Sequence, residues 1–149
     1  MSIPSLDQLQ ADILLEIGSL EGNAEKMMRY LVEQGRNMAP LSEADKTEEY
    51  RLHGCQSNVW IKSYLENGRV HFLADSNTLI SKGLLQLLMR LLNGQSPEII
   101  LQADLYLLRE PTLQRFIGTT RNNGLAAMEK RMKACAWACL VLPTTAPSF

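Results

Sequence analysis

The sequence predicts an α+β protein in which a small antiparallel sheet with a hairpin is covered by helices. Three observations carry that expectation. Apolar residues recur at helical spacing near both ends of the chain, an alternating stretch surrounds Asn67-Gly68, and Leu79 to Leu92 is apolar on nearly all sides, as a buried central helix requires.

Taken in order, Ser5 and Gln8 form a capping-box pattern, and Leu6, Leu9, Ile13, Leu14, Ile17 and Leu20 continue it as an amphipathic helix ending near Gly18 to Gly22. Asn23 caps a second helix through Met27, Tyr30, Leu31 and Gln34, with a stop at Gly35. The polar segment from Arg36 to Tyr50, which contains Pro40, reads as a loop with one helical turn at Ser42 to Lys46. From Tyr50 the pattern alternates. Asn-Gly favours a type I′ turn, because both central residues need positive φ, so Val59 to Leu65 pairs with Arg69 to Ala74, and Tyr50 to His53 is a candidate third strand.

Ser76 or Asp75 is the expected cap of the Leu-rich helix, which stops at Gly94. Ser96-Pro97-Glu98 opens a short helix through Leu101, because proline suits the first helical position. Turns follow at Leu105 to Leu108 and Leu113 to Ile117. Asn122 or Asn123 precedes a last helix with Leu125, Met128, Met132, Cys135 and Cys139 along one side. One domain over residues 1–142 is expected, with 143–149 (PTTAPSF) a mobile tail.

Composition narrows the function. The 149 residues are 46% apolar, enough for one core, and 15 Lys plus Arg against 16 Asp plus Glu leave a net charge of -1. That charge gives no electrostatic case for nucleic acid or an anionic membrane, so partners are sought among proteins and small molecules. No apolar run approaches the roughly 20 residues of a membrane span. The start lacks the basic and apolar regions of a secretory signal, and three unevenly placed cysteines suit the reducing cytoplasm better than a disulfide framework.

Cys55 is the candidate for chemistry. Core cysteines sit among apolar neighbours, whereas this one stands in Gly54-Cys55-Gln56-Ser57, a turn where a partner can reach the thiol and polar groups can support a thiolate. His53 and His71 raise the alternative of a small cysteine hydrolase using Cys55 with His71, Asp75 orienting the histidine. A non-catalytic adaptor with an incidental Cys55 is a further alternative. His71 alternates with Val70 and Phe72 on a strand and reads as structural, while Cys135 and Cys139 offer two thiols where zinc needs three or four ligands and read as core packing.

The stretch His53 to Ile61 (HGCQSNVWI) resembles the Gly-Cys-x-Ser-x-Val-Trp signature of SufE proteins, the sulfur acceptors of cysteine desulfurases. The resemblance continues in register. Phe72 to Ser76 (FLADS) is similar to the family's strand end and Asp-Ser helix start, Ser81 to Leu85 with Asn93 to Pro97 to its central helix and following turn, and Thr120 to Met128 to its Ser-Arg-x-x-Gly-Leu-x-Ala-Met segment. The chain departs from the pattern at Asn23 to Met27, where the family has a tryptophan, and after Ala134.

The resemblance implies a fold shared with iron–sulfur scaffold proteins and a sulfur carrier, not a stand-alone enzyme. Cys55 would take persulfide sulfur from a cysteine desulfurase, stimulate that enzyme and relay sulfur to iron–sulfur cluster assembly. Gly54 would permit the tight backbone, Gln56 and Ser57 would donate hydrogen bonds, and Arg121 would pair with Asp75 or face the partner. The expected partners are a cysteine desulfurase, which carries the pyridoxal phosphate, and an iron–sulfur scaffold complex. No cofactor or metal is expected on this chain.

Overall fold

A computed structural model describes residues 4–142 and shows the expected α+β architecture; the tail at 143–149 lies outside the described residues. Helix α1 (Leu6–Gly18) opens on the full capping box, Ser5 accepting from the Gln8 N–H while the Gln8 side chain accepts from the Ser5 N–H. Helix α2 (Ala24–Arg36) is capped by Asn23, whose side chain accepts from the Lys26 N–H. Strands β1 (Val59–Glu66) and β2 (Arg69–Ser76) form the hairpin, in register from Val59 opposite Ser76 to Glu66 opposite Arg69. Asn67 at φ 54° and Gly68 at φ 74° both take the left-handed conformation that the Asn-Gly turn was expected to need.

Helix α3 (Leu79–Leu92) is the spine. Leu84, Leu85, Leu87, Leu88, Leu91 and Leu92 are all at most 1% exposed, and each such side chain contributes about 1.5–3 kcal/mol relative to leaving it in water. Helix α2 lies directly on it. A Cβ added at Gly83 would meet the Leu31 carbonyl oxygen at 2.1 Å, so the two backbones touch where only glycine fits. Gly35 belongs to the same crossing: it is buried inside α2 against Gly83, and the helix runs one residue beyond the stop expected there. Glu16, Tyr30 and Arg90 tie α1, α2 and α3 together, with Arg90 bidentate on Glu16 at 2.7 Å for both bonds and Tyr30 donating to Glu16 at 2.8 Å. The arginine's hydrogen bond holds the Glu16 carboxyl below its usual range, against the opposing effect of burial.

Other boundaries differ from expectation. The candidate third strand is one isolated bridge, Arg51 opposite Trp60. Strand β2 continues through Asp75 and Ser76, so neither residue caps α3; the N-cap is Thr78, which forms no side-chain cap. Helix α4 (Pro97–Gln102) begins as expected, Ser96 accepting from the Ile99 N–H. The turn expected at Leu113 to Ile117 is the start of α5 (Pro111–Val141), capped by the Glu110 carboxylate. Gly118 breaks that helix at φ 74°, ψ 178°, a conformation open essentially to glycine alone. The second arm therefore starts at Thr119, three residues before Asn122.

Candidate functional site

Cys55 lies on a short connection whose base is closed by backbone hydrogen bonds. The Leu52 N–H donates to the Val59 carbonyl at 2.7 Å, and the Ile61 N–H donates to the Tyr50 carbonyl at 2.9 Å. Residues 53–58 thus form a tight loop feeding β1. Gly54 sits within it at φ 89° with open space where a Cβ would stand, so its requirement is conformational and not steric.

The thiol is half-buried and packs against the core. It faces α5: a Cβ built on Gly124 would lie 3.1 Å from the Cys55 Sγ, so the bare glycine backbone makes room for the sulfur. The same residues line a cleft of about 690 Å³ that contains Cys55, Gln56 and Ser57 from the loop and Arg121 and Gly124 from α5. Its apolar lining includes Ile80, Ile117 and Met128, together with the exposed side chains of Met28 and Leu79. The Gly118 break brings Thr119, Thr120 and Arg121, the first turn of the second arm, into the lining.

Four of the expected site residues share this cleft with Cys55 or flank it in the loop. Gln56 from the loop and Arg121 from α5 are both exposed in the lining. Ser57 is turned towards α3, with its Oγ 2.9 Å from both Thr78 Oγ1 and Ser81 Oγ. Gly54 shapes the loop.

Asp75 is different. Its carboxylate is buried between Lys46 at 3.4 Å and Lys82 at 3.3 Å and accepts from the Ser76 N–H at 2.8 Å, so it joins the 42–46 turn to α3 and does not pair with Arg121. Burial pushes the Asp75 carboxyl up, but the Ser76 N–H and the two ammoniums outweigh it and hold it below the ordinary value. Asp75 does not line the cleft. The ion pairs satisfy a buried carboxylate, which explains why an acid stands at the end of a strand.

Neither histidine lines the cleft. His71 stacks on Tyr64 with ring centroids 5.1 Å apart, and His53 is exposed beside Glu48 at 3.2 Å. His71 is five residues along β2 from Ser76, roughly 17 Å at strand spacing, so it cannot serve a thiol at the far end of the hairpin as a base. Cys135 and Cys139 pack against the core from α5, and burial pushes both thiols up from their ordinary value. Sequence reading passed over Thr78, Ser81, Met28 and Gly124. Ser81 left one usable signal, a lone hydroxyl in an otherwise leucine-rich helix.

The fold and the site together define a class: a small α+β protein that shelters one loop thiol under a helix beside an open cleft. The comparisons with known proteins bear on the family and the fold. The chain belongs to the SufE family, whose domain is described as Fe-S metabolism associated and matches residues 11–136. It is 38% identical over 112 residues to SufE-like protein 1, chloroplastic/mitochondrial, of Arabidopsis thaliana; the match covers 73% of this chain and 29% of that protein's length. The chain thus spans under a third of this curated relative. Its fold is also similar to the solution structure of a hypothetical protein from Thermus thermophilus, with a TM-score of 0.67 and 26% identity over 78% of this chain and 86% of the other. Among the described residues, no helix is long and apolar enough to cross a membrane.

Proposed function

We propose that the protein is a sulfur acceptor and carrier that receives persulfide sulfur from a cysteine desulfurase on Cys55. The observation that carries this reading is the position of Cys55: a half-buried thiol in a short closed loop, seated on Gly124 and bordered by a cleft with exposed apolar residues. Membership of a family tied to iron–sulfur metabolism supplies the chemical context.

The transfer is a thiol–disulfide-type exchange. The Cys55 thiol loses its proton to solvent, and the thiolate attacks the terminal sulfur of the enzyme's cysteine persulfide. A sulfur–sulfur bond forms to Cys55 while the enzyme's own sulfur–sulfur bond breaks, and the departing cysteine thiolate is reprotonated. No net oxidation occurs. Draining sulfur from the desulfurase frees its nucleophile for another turnover, which accounts for stimulation.

A persulfide in water is easily reduced. The seat beside Gly124 protects the loaded sulfur, and the loop presents it when a partner docks. The desulfurase supplies the pyridoxal phosphate, an iron–sulfur scaffold complex receives the sulfur, and the cytoplasm keeps the three thiols free. Sulfide release by a cysteine desulfurase, followed with cysteine and a reductant, tests the reading. The protein should accelerate release, and Cys55→Ser should abolish the acceleration with an unchanged circular dichroism spectrum. Full stimulation by folded Cys55→Ser would overturn it.

A further inference from the structure

The loop is fastened to the start of α3 at four points. The Asn58 N–H donates to Asn77 Oδ1 at 2.9 Å, and the Asn77 N–H donates back to the Asn58 carbonyl at 3.1 Å. The other two bonds are those of the Ser57 hydroxyl to Thr78 and Ser81, both 2.9 Å. A hydroxyl donates one hydrogen bond and accepts others, so the three form a chain with Ser57 in the middle.

Both partners are unusual where they stand. An N-cap threonine ordinarily accepts from an N–H of the first helical turn, yet Thr78 caps nothing with its side chain and meets Ser57 instead. Ser81 is 7% exposed on a face otherwise filled by leucine, where water cannot readily replace a lost partner. Both hydroxyls line the cleft that contains Cys55.

We propose that Thr78 and Ser81 are positioning residues that latch Ser57 and so set how often Cys55 leaves its seat beside Gly124. This rests on the reading of Cys55 as a sulfur acceptor. The reciprocal Asn58–Asn77 pair and the Leu52–Val59 bond form the hinge, and the segment that moves is 53–57. Opening breaks the two hydroxyl contacts and carries the sulfur from Gly124 into solvent. A desulfurase that engages only the open loop then binds with an affinity reduced by the fraction of molecules that are open. The latch thereby trades partner affinity for protection of the loaded sulfur.

The test combines Thr78→Val with Ser81→Ala, removing both partners of Ser57 while retaining most of the volume. In the free protein, alkylation of Cys55 by iodoacetamide should accelerate about tenfold, the effect of losing one or two ordinary hydrogen bonds. The concentration giving half-maximal stimulation of a desulfurase should fall by a similar factor with the maximal rate unchanged. Thr78→Ser, which keeps the hydroxyl, should alkylate at the wild-type rate. Ser57→Ala should match the double variant and add nothing to it, because both break the same chain. If the double variant is poorly folded, Thr78→Val alone, at an exposed position, should give a smaller acceleration. Wild-type alkylation rates in the folded variants, or additive effects of Ser57→Ala, would overturn the latch. The two readings fail separately: faster alkylation in a protein that stimulates no desulfurase refutes the acceptor role, whereas unaltered alkylation in one that does refutes only the latch.

Discussion

The sulfur of Cys55 rests on Gly124, so closely that a methyl group on the glycine would stand 3.1 Å from it. The contact joins the Cys55 loop to α5 across about half of the domain's sequence. Gly124 is buried within a helix, where alanine is better by roughly 1 kcal/mol in intrinsic propensity. The new methyl must, however, push the thiol outward by a few tenths of an ångström.

Gly124→Ala is therefore expected to leave the thermal midpoint nearly unchanged while Cys55 becomes several-fold more reactive towards iodoacetamide. The measurement is alkylation followed by intact mass. A variant as slow to react as the wild type would show that the glycine does not seat the sulfur.

Gly83→Ala should behave differently. Its methyl would meet the Leu31 carbonyl at 2.1 Å, and backbone atoms in a packed crossing cannot yield as a side-chain end does. A loss of about 3 kcal/mol or more is expected in urea unfolding, at the upper end for overpacked cores. A loss under about 1 kcal/mol would mean that α2 and α3 are free to separate.

Much of the architecture was legible because local rules and packing agree. The Ser5–Gln8 box, the Asn23 cap, the Asn67-Gly68 turn and the leucine spine each follow from a handful of adjacent residues. Cys55 stood out because its polar, glycine-containing sequence neighbours do not resemble a core, and the structure places its thiol half-buried against Gly124 in the cleft lining. The errors arose where distant segments decide. Asp75 and Ser76 look like helix caps, but pairing with β1 extends the strand through them and the two lysines claim the carboxylate. Gly124 looks like an ordinary helix filler until the loop carrying Cys55, from the other half of the chain, is laid against it. The Ser57, Thr78 and Ser81 contacts span 21 and 24 residues, and nothing in the local pattern announces them.

Acid should weaken the fold through Asp75 and Glu16. Both carboxyls are held below their ordinary values in the native state, so the unfolded chain takes up protons first as the pH falls. Their contribution is fully present above the unfolded carboxylate pKa of about 4 and is lost as the pH drops through the lower native values. Asp75→Asn should cost about 1–3 kcal/mol near neutrality, because two lysines lose a buried charged partner, and should flatten the acid limb of the stability profile. Urea unfolding across the acid range is the check. An unchanged acid limb would remove Asp75 from the account.

Cys135→Ala with Cys139→Ala should retain full sulfur acceptance at a stability cost of about 1–2 kcal/mol, since both thiols pack against the core and burial disfavours their ionisation. Loss of transfer in the folded double variant would reveal a relay beyond Cys55.

The most direct measurement is the mass of the protein after incubation with a cysteine desulfurase and cysteine, without reductant, followed by peptide mapping. The added mass of sulfur is expected on the peptide that contains Cys55, removed by a thiol reductant and absent from Cys55→Ser. Sulfur found on Cys135 or Cys139 instead, or no adduct from a desulfurase that the protein demonstrably stimulates, would contradict this expectation.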